Sequence, residues 1–155
     1  MVTFVATPKT DAIAESTSAA GVTIDGAMIK DGSFTGKQTA ATATSDGLTT
    51  GLLTGADQFV TVTSANANNI IALPALSTVP VGTCIRGMVN ANGFELRVAV
   101  ADATTGKIND VTTNVEAAIP ADTSFEVVKI SSTEWILTAT TKLGAVLTAI
   151  VPDAV

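Results

Sequence analysis

The chain has 155 residues, 46% of them hydrophobic but only 4% aromatic, so Ala and Val supply much of its apolar mass. Its formal net charge is −6, and charged residues make up 14% of the chain, below the roughly 25% of an average domain. Its two arginines, Arg86 and Arg97, lie outside any basic run. Neither nucleic acid nor an anionic membrane surface is therefore an expected partner, because both are bound by clustered cations.

The first part of the chain, residues 1–54, reads as an extended arm or stalk rich in Thr, Ala, Gly and Ser. The opening Met1-Val-Thr-Phe-Val-Ala-Thr-Pro8-Lys9 lacks the basic and apolar regions of a signal peptide, so a chain made in a cytoplasm is expected. Asp11–Ser18 is predicted as a short helical turn or a flexible arm. Val22 and Ile24 alternate in strand fashion before Asp25-Gly26, Ile29 precedes Asp31-Gly32, and Phe34 follows it. Asp-Gly favours a turn because Gly accepts positive φ freely and Asp bonds its own backbone. Pieces this short do not make a stable sheet alone, so neighbouring chains are expected to complete it. Residues 37–54 are predicted as a linker or stalk.

From residue 55 to the end, short apolar runs alternate with turn signals, as in a small β domain. Phe59–Thr63 is predicted as a strand, Asn66–Asn69 as a turn and Ile70–Leu73 as a strand ended by Pro74. Cys84–Asn90 and Phe94–Val100 flank Ala91-Asn92-Gly93 and are predicted to form a hairpin. In the second arm, Phe94, Leu96 and Val98 share one face while Glu95 and Arg97 share the other. Phe125–Ser131 and Glu134–Thr140 are predicted as another hairpin, and Leu143–Val151 as a last strand, too short to span a membrane. The predicted core comprises Phe59, Leu96, Phe125, Trp135 and Leu137. The expected fold class is all-β: an antiparallel sandwich, jelly-roll-like or barrel-like knob over residues 55–155, behind the arm.

Chemistry is sparse. The chain has no histidine and no tyrosine, which removes Ser-His-Asp and Cys-His catalysis and imidazole metal sites. Cys84 is the single cysteine and is expected as a small buried hydrophobe. Paired carboxylates could still hydrolyse a glycosidic bond. The candidates are Glu95, Asp102, Asp110, Glu116, Asp122, Glu126 and Glu134, with solvated surface acids the preferred reading. Asp25 and Asp31 do not match the spacing of a calcium loop and are read as turn residues. Gly82, Gly87 and Gly93 form no phosphate loop. Asn66, Asn68 and Asn69 are read as turn amides bonded locally rather than as a ligand site. No enzyme, metal or cofactor is expected.

Three stretches together resemble a known family: Gly21-Val-Thr-Ile-Asp-Gly26 with Ile29-Lys-Asp-Gly32; Val62-Thr-Ser-Ala-Asn-Ala-Asn68 leading to Leu73-Pro74-Ala75; and Trp135-Ile-Leu-Thr138 leading to Val151-Pro152. Ala91-Asn-Gly-Phe-Glu-Leu-Arg97 belongs to the same pattern. The chain resembles small structural proteins of tailed bacteriophage virions, of the capsid-decoration, head-fibre or short-fibre kind. The resemblance implies a homotrimer on the particle surface, an arm that attaches to the major capsid protein and a β knob facing outward. Trimerisation and attachment are expected at Val22, Ile24, Met28, Ile29 and Phe34. The alternative reading is the knob of a phage tail fibre, with a host surface glycan as its partner.

Overall fold

The computed structural model describes residues 22–24, 27–30, 33–49, 51–112, 115–146 and 153–154. The chain divides into two compact units, Met1–Lys37 and Gln38–Val155. Nearly all regular structure is β, in mixed sheets, with two 3-10 turns at Leu76–Thr78 and Val100–Asp102.

The first unit contains β1 (Val22–Ile24), β2 (Ala27–Lys30) and β3 (Ser33–Thr35), paired antiparallel in that order. The strands expected on either side of the two Asp-Gly pairs are therefore present. The Asp-Gly residues themselves, and the predicted turn at Asp11–Ser18, lie outside the described residues.

Among the described residues eleven strands make up the second unit, the first of them starting at Lys37, the last residue of the first unit. They are β4 (Lys37–Ala43), β5 (Asp57–Ser64), β6 (Ile70–Ala72), β7 (Cys84–Val89), β8 (Phe94–Arg97), β9 (Lys107–Ile108), β10 (Val111–Thr112), β11 (Val115–Ile119), β12 (Thr123–Lys129), β13 (Glu134–Thr141) and β14 (Asp153–Ala154). A seven-stranded sheet has the order β10-β9-β13-β12-β7-β5-β4, and a four-stranded sheet has the order β14-β11-β8-β6.

Between β5 and β8 the chain crosses from one sheet to the other at every connection. Each return lands beside the strand it left, in the same direction. β5 pairs parallel with β7 (Phe59 opposite Arg86), and β6 pairs parallel with β8 (Ile70 opposite Glu95). This is the coiling of a β-solenoid rather than that of a sandwich or barrel. The antiparallel knob expected from the sequence is corrected on this point, because β9 and β13 are also parallel. The hairpin expected around Asn92-Gly93 is corrected with it: β7 and β8 belong to different sheets. Asn92 adopts a left-handed φ of 56° and donates its amide Nδ2 to the Ser64 carbonyl at 3.0 Å. A side chain at Gly93 would meet the Ile119 carbonyl at 2.7 Å. The turn chemistry is thus as read, but it serves a crossing between layers.

The second hairpin is present, with β12 and β13 in register from Thr123 opposite Thr141 to Lys129 opposite Trp135. Period-two alternation accounts for the core. Ile85 and Val89 on β7, Phe94 and Leu96 on β8, Phe125 and Val127 on β12, and Trp135 and Leu137 on β13 all point inward and are buried in one cluster. Phe94 and Phe125 come from different sheets, yet their ring centroids are 5.7 Å apart at a tilt of 59°, so the two layers share one apolar interior.

Of the predicted core, Leu96, Phe125, Trp135 and Leu137 are buried, and Val98 joins Phe94 and Leu96 inside. Phe59 is not: the alternation of β5 puts Val60 and Val62 inside and leaves Phe59 40% exposed. Residues 38–54, read as stalk, belong with the second unit, where Ala41, Ala43 and Leu53 are buried. The strand expected from Leu143 does not begin there. Leu143 is 97% exposed in a turn and Val146 forms an isolated bridge with Thr140, while residues 147–151 lie outside the described residues.

Candidate assembly surface

The five residues expected to drive assembly fall on the three strands of the first unit. Val22 is the register partner of Ile29, and Ile29 that of Phe34, so these three form one row across the meander. Met28 sits between Thr23 and Thr35, and Ile24 pairs with Ala27. The register thus gathers three of the five into one row and leaves Met28 in the next row and Ile24 in the row beyond it.

In the second unit an apolar groove of about 590 Å³ runs between Leu48, Leu52, Leu73, Pro74 and Val100, and no charged residue lines it. Leu52 is 47% and Val100 60% exposed, although burying the exposed part of either would contribute roughly 1 kcal/mol. Exposed apolar side chains gathered at one uncharged groove offer a surface that a partner can cover.

Buried polar groups hold the walls of this groove. Lys129 is buried, and its Nζ donates to the carbonyls of Leu76 and Val79, both at 2.6 Å. The Asp102 carboxylate accepts from the Leu76 amide at 2.7 Å. The turn that follows Pro74 is therefore gripped at its start by an anion and at its end by a cation. On the other wall, buried Asp57 accepts from the Thr54 amide at 2.7 Å and the Thr54 hydroxyl at 2.9 Å, and also from the Thr39 hydroxyl of β4. A buried carboxylate or ammonium left unpaired would be strongly destabilising, so each of these groups fixes the segment that satisfies it.

A second depression, of about 370 Å³, lies on the outer face of the seven-stranded sheet. Phe59, Arg86, Glu126 and Thr138 stand in one register row across four strands, and Ser124 and Thr140 border the other side. Arg86 Nε donates to Glu126 Oε2 at 2.5 Å. That hydrogen bond holds the Glu126 carboxyl below its ordinary range and raises the guanidinium further. Neighbouring Cys84 has its thiol pushed up, first by burial and then by the Glu126 charge. Cys84 is partly buried rather than fully so.

The remaining acids have structural partners. Glu116 pairs with Arg97 at 3.3 Å, Asp122 with Lys142 at 2.7 Å and Asp110 with Lys107 at 3.7 Å. Glu134 accepts from the Asp110 amide at 3.0 Å. Glu95 and Glu134 lie on strands of different sheets. The Asn66–Asn69 turn is bonded locally, with the Asn68 amide on Asn66 Oδ1 at 2.9 Å, while Asn69 Nδ2 reaches the Ala43 carbonyl at 3.0 Å. Among the described residues no three His, Cys, Asp or Glu converge to hold a metal ion.

Sequence reasoning missed the groove and the groups that hold it. The only local signal was a lone Lys in the apolar run Val127-Val-Lys-Ile130 and a lone Asp in Val98-Ala-Val-Ala-Asp102. Comparison with protein-family models, with curated proteins and with solved structures finds no match to this chain.

Proposed function

We propose that this chain is a non-enzymatic structural component of a tailed-phage virion: a capsid-decoration or head-fibre protein that binds the major capsid lattice as a homotrimer. The observation that carries this reading is the first unit. It forms a compact unit of its own, yet its described strands have only three, four and three residues. A sheet that small buries too little apolar surface to be stable alone. Sister copies and a capsid surface are what would complete it. The uncharged groove with exposed Leu52 and Val100 supports the same reading, since it offers a second adhesive surface on the knob.

The mechanism is adhesive. Arms wrapped among three copies and onto the lattice add main-chain hydrogen bonds and small apolar contacts. A protein that binds only the assembled shell stabilises it by mass action. Light scattering on the purified chain should give the mass of a trimer. Mixing it with capsids of a tailed phage that lack their decoration protein should give co-sedimentation and a higher capsid melting temperature. A monomer that leaves such capsids unbound overturns the reading.

The second reading, a receptor-binding knob of a tail fibre that takes a host surface glycan, is favoured by the outer-face depression. There an exposed aromatic ring, a charge-neutral Arg86–Glu126 pair and three hydroxyls come together. Copy number separates the two readings: a decoration protein occurs in hundreds per particle, a tail tip in few.

A further inference from the structure

We infer that β4 is a docking edge for an extended strand from a second copy of this chain. The inference rests on the assembly reading above and names the surface through which copies join.

Among the described residues the two sheets of the second unit have four edges, and three of them are short or already bonded. Within the described residues β10 and β14 span two residues each. β6 has three residues, and its outer side is already bonded: Thr44 and Ile70 exchange backbone hydrogen bonds at 2.8 and 3.2 Å, and the Leu53 amide donates to the Ala72 carbonyl at 3.0 Å. β4 is different. It runs for seven residues, and among the described residues no strand lies beyond it in its sheet. From Gln38 to Ala43 it carries no charge and no proline. Natural sheets blunt free edges with short strands, charges, prolines or covering loops, because an open edge is a template for pairing. A charge stands only at its first residue, Lys37, and Gly51 comes close to the Thr42 carbonyl, so the stretch from Gln38 to Ala41 is the part of this edge left without charge or proline, which marks it as an edge kept for use.

Two further observations point to an incoming strand. A trough of about 370 Å³ follows β4, bounded by Thr39–Thr42 on one side and by Gly51, Leu52 and Leu53 on the other, so an added strand would find apolar surface for its side chains. The edge is also held in shape before anything binds. The Thr39 hydroxyl is tied to buried Asp57, and the Ala43 carbonyl accepts from Asn69 Nδ2 at 3.0 Å. A pre-ordered edge loses little conformational freedom on pairing, and main-chain bonds then supply the affinity.

The occupant this edge fits is an extended, nearly uncharged segment rich in small and β-branched residues. The chain itself supplies such segments in Val22–Ile24 and Ser33–Thr35. Strand-to-edge contact between copies is heterologous, and a heterologous contact closes into a ring when its rotation permits, as a homotrimer requires.

The test uses the full chain and the variants Ala40→Lys and Thr42→Lys, both at exposed positions of β4. Light scattering across a dilution series should find the wild type trimeric. Each single variant should dissociate at a concentration at least about tenfold higher, a factor worth roughly 1.4 kcal/mol, and the double variant should be monomeric with unchanged circular dichroism. Hydrogen exchange on the wild type, dilute against concentrated, gives a readout free of mutation: β4 amides should slow on assembly. A double variant that stays trimeric, or β4 amides that exchange equally at both concentrations, overturns the edge while leaving a trimeric wild type intact. A wild type that is monomeric throughout overturns both readings.

Discussion

The ammonium of Lys129 lies 2.6 Å from the carbonyl oxygen of Leu76, on a turn far away in sequence. With the Val79 carbonyl also at 2.6 Å, it satisfies two acceptors that the 3-10 turn leaves over, and it sets one wall of the apolar groove. Lys129→Met keeps the stem volume but strands both carbonyls. We expect a loss of about 2–4 kcal/mol in urea unfolding. Amides from Thr78 to Thr83 should also exchange faster. Unchanged stability would mean that solvent already satisfies those carbonyls.

Gly87 and Phe125 are register partners, and the ring of Phe125 occupies the space that a Gly87 side chain would need. Gly87→Ala should therefore cost about 1–3 kcal/mol through displacement of the ring. Combining it with Phe125→Leu should cost less than the sum of the two single changes, because the smaller residue vacates the space. A strictly additive double-mutant cycle would show that the two sites do not compete for volume.

Cys84 reports on the outer face of the long sheet. Burial and the Glu126 carboxylate raise its thiol, while the Arg86 charge pulls it down. At pH 8 it should react with iodoacetamide more slowly than a free cysteine, since the thiolate is the nucleophile. Glu126→Gln should accelerate the reaction and Arg86→Gln should slow it. The Glu126 carboxyl is itself held below its ordinary range by its hydrogen bond to Arg86. Whatever that pair contributes to stability is thus present above the ordinary carboxylate range and lost as pH falls through the lowered value. The pair is solvent-exposed, so the contribution is small and should shrink with added salt.

Ile24→Asp with Ile29→Asp places two charges on adjacent strands of the first unit, within the segment proposed to join copies. The second unit should keep its melting transition while the trimer is lost in light scattering. A trimer that survives this change but not the β4 lysines would assign assembly to the knob edge alone.

Ile24→Asp and Ala40→Lys thus probe the proposed assembly from two sides, and only the first was chosen from the sequence. The arm residues Val22, Ile24 and Ile29 were legible because alternation and Asp-Gly turns are local signals, and the register of β1 to β3 follows from them. The same locality made the inward faces of β8, β12 and β13 legible. Phe59 was misread because Gln58-Phe-Val-Thr-Val62 can be read in either phase of a two-residue period, and the choice of inward face depends on which sheet lies beneath it.

The sequence by itself determined that this chain is β-rich, where most of its strands fall and that it holds no histidine or tyrosine. Those properties live in composition and two-residue periodicity. Only the tertiary structure decided that the Asn92-Gly93 turn crosses between sheets, that Lys129 and Asp102 grip one turn, and that β4 is the last of the described strands in the long sheet. Each of these depends on which strand a returning chain meets, and parallel pairing joins residues about a full coil apart, a distance over which no local pattern carries information.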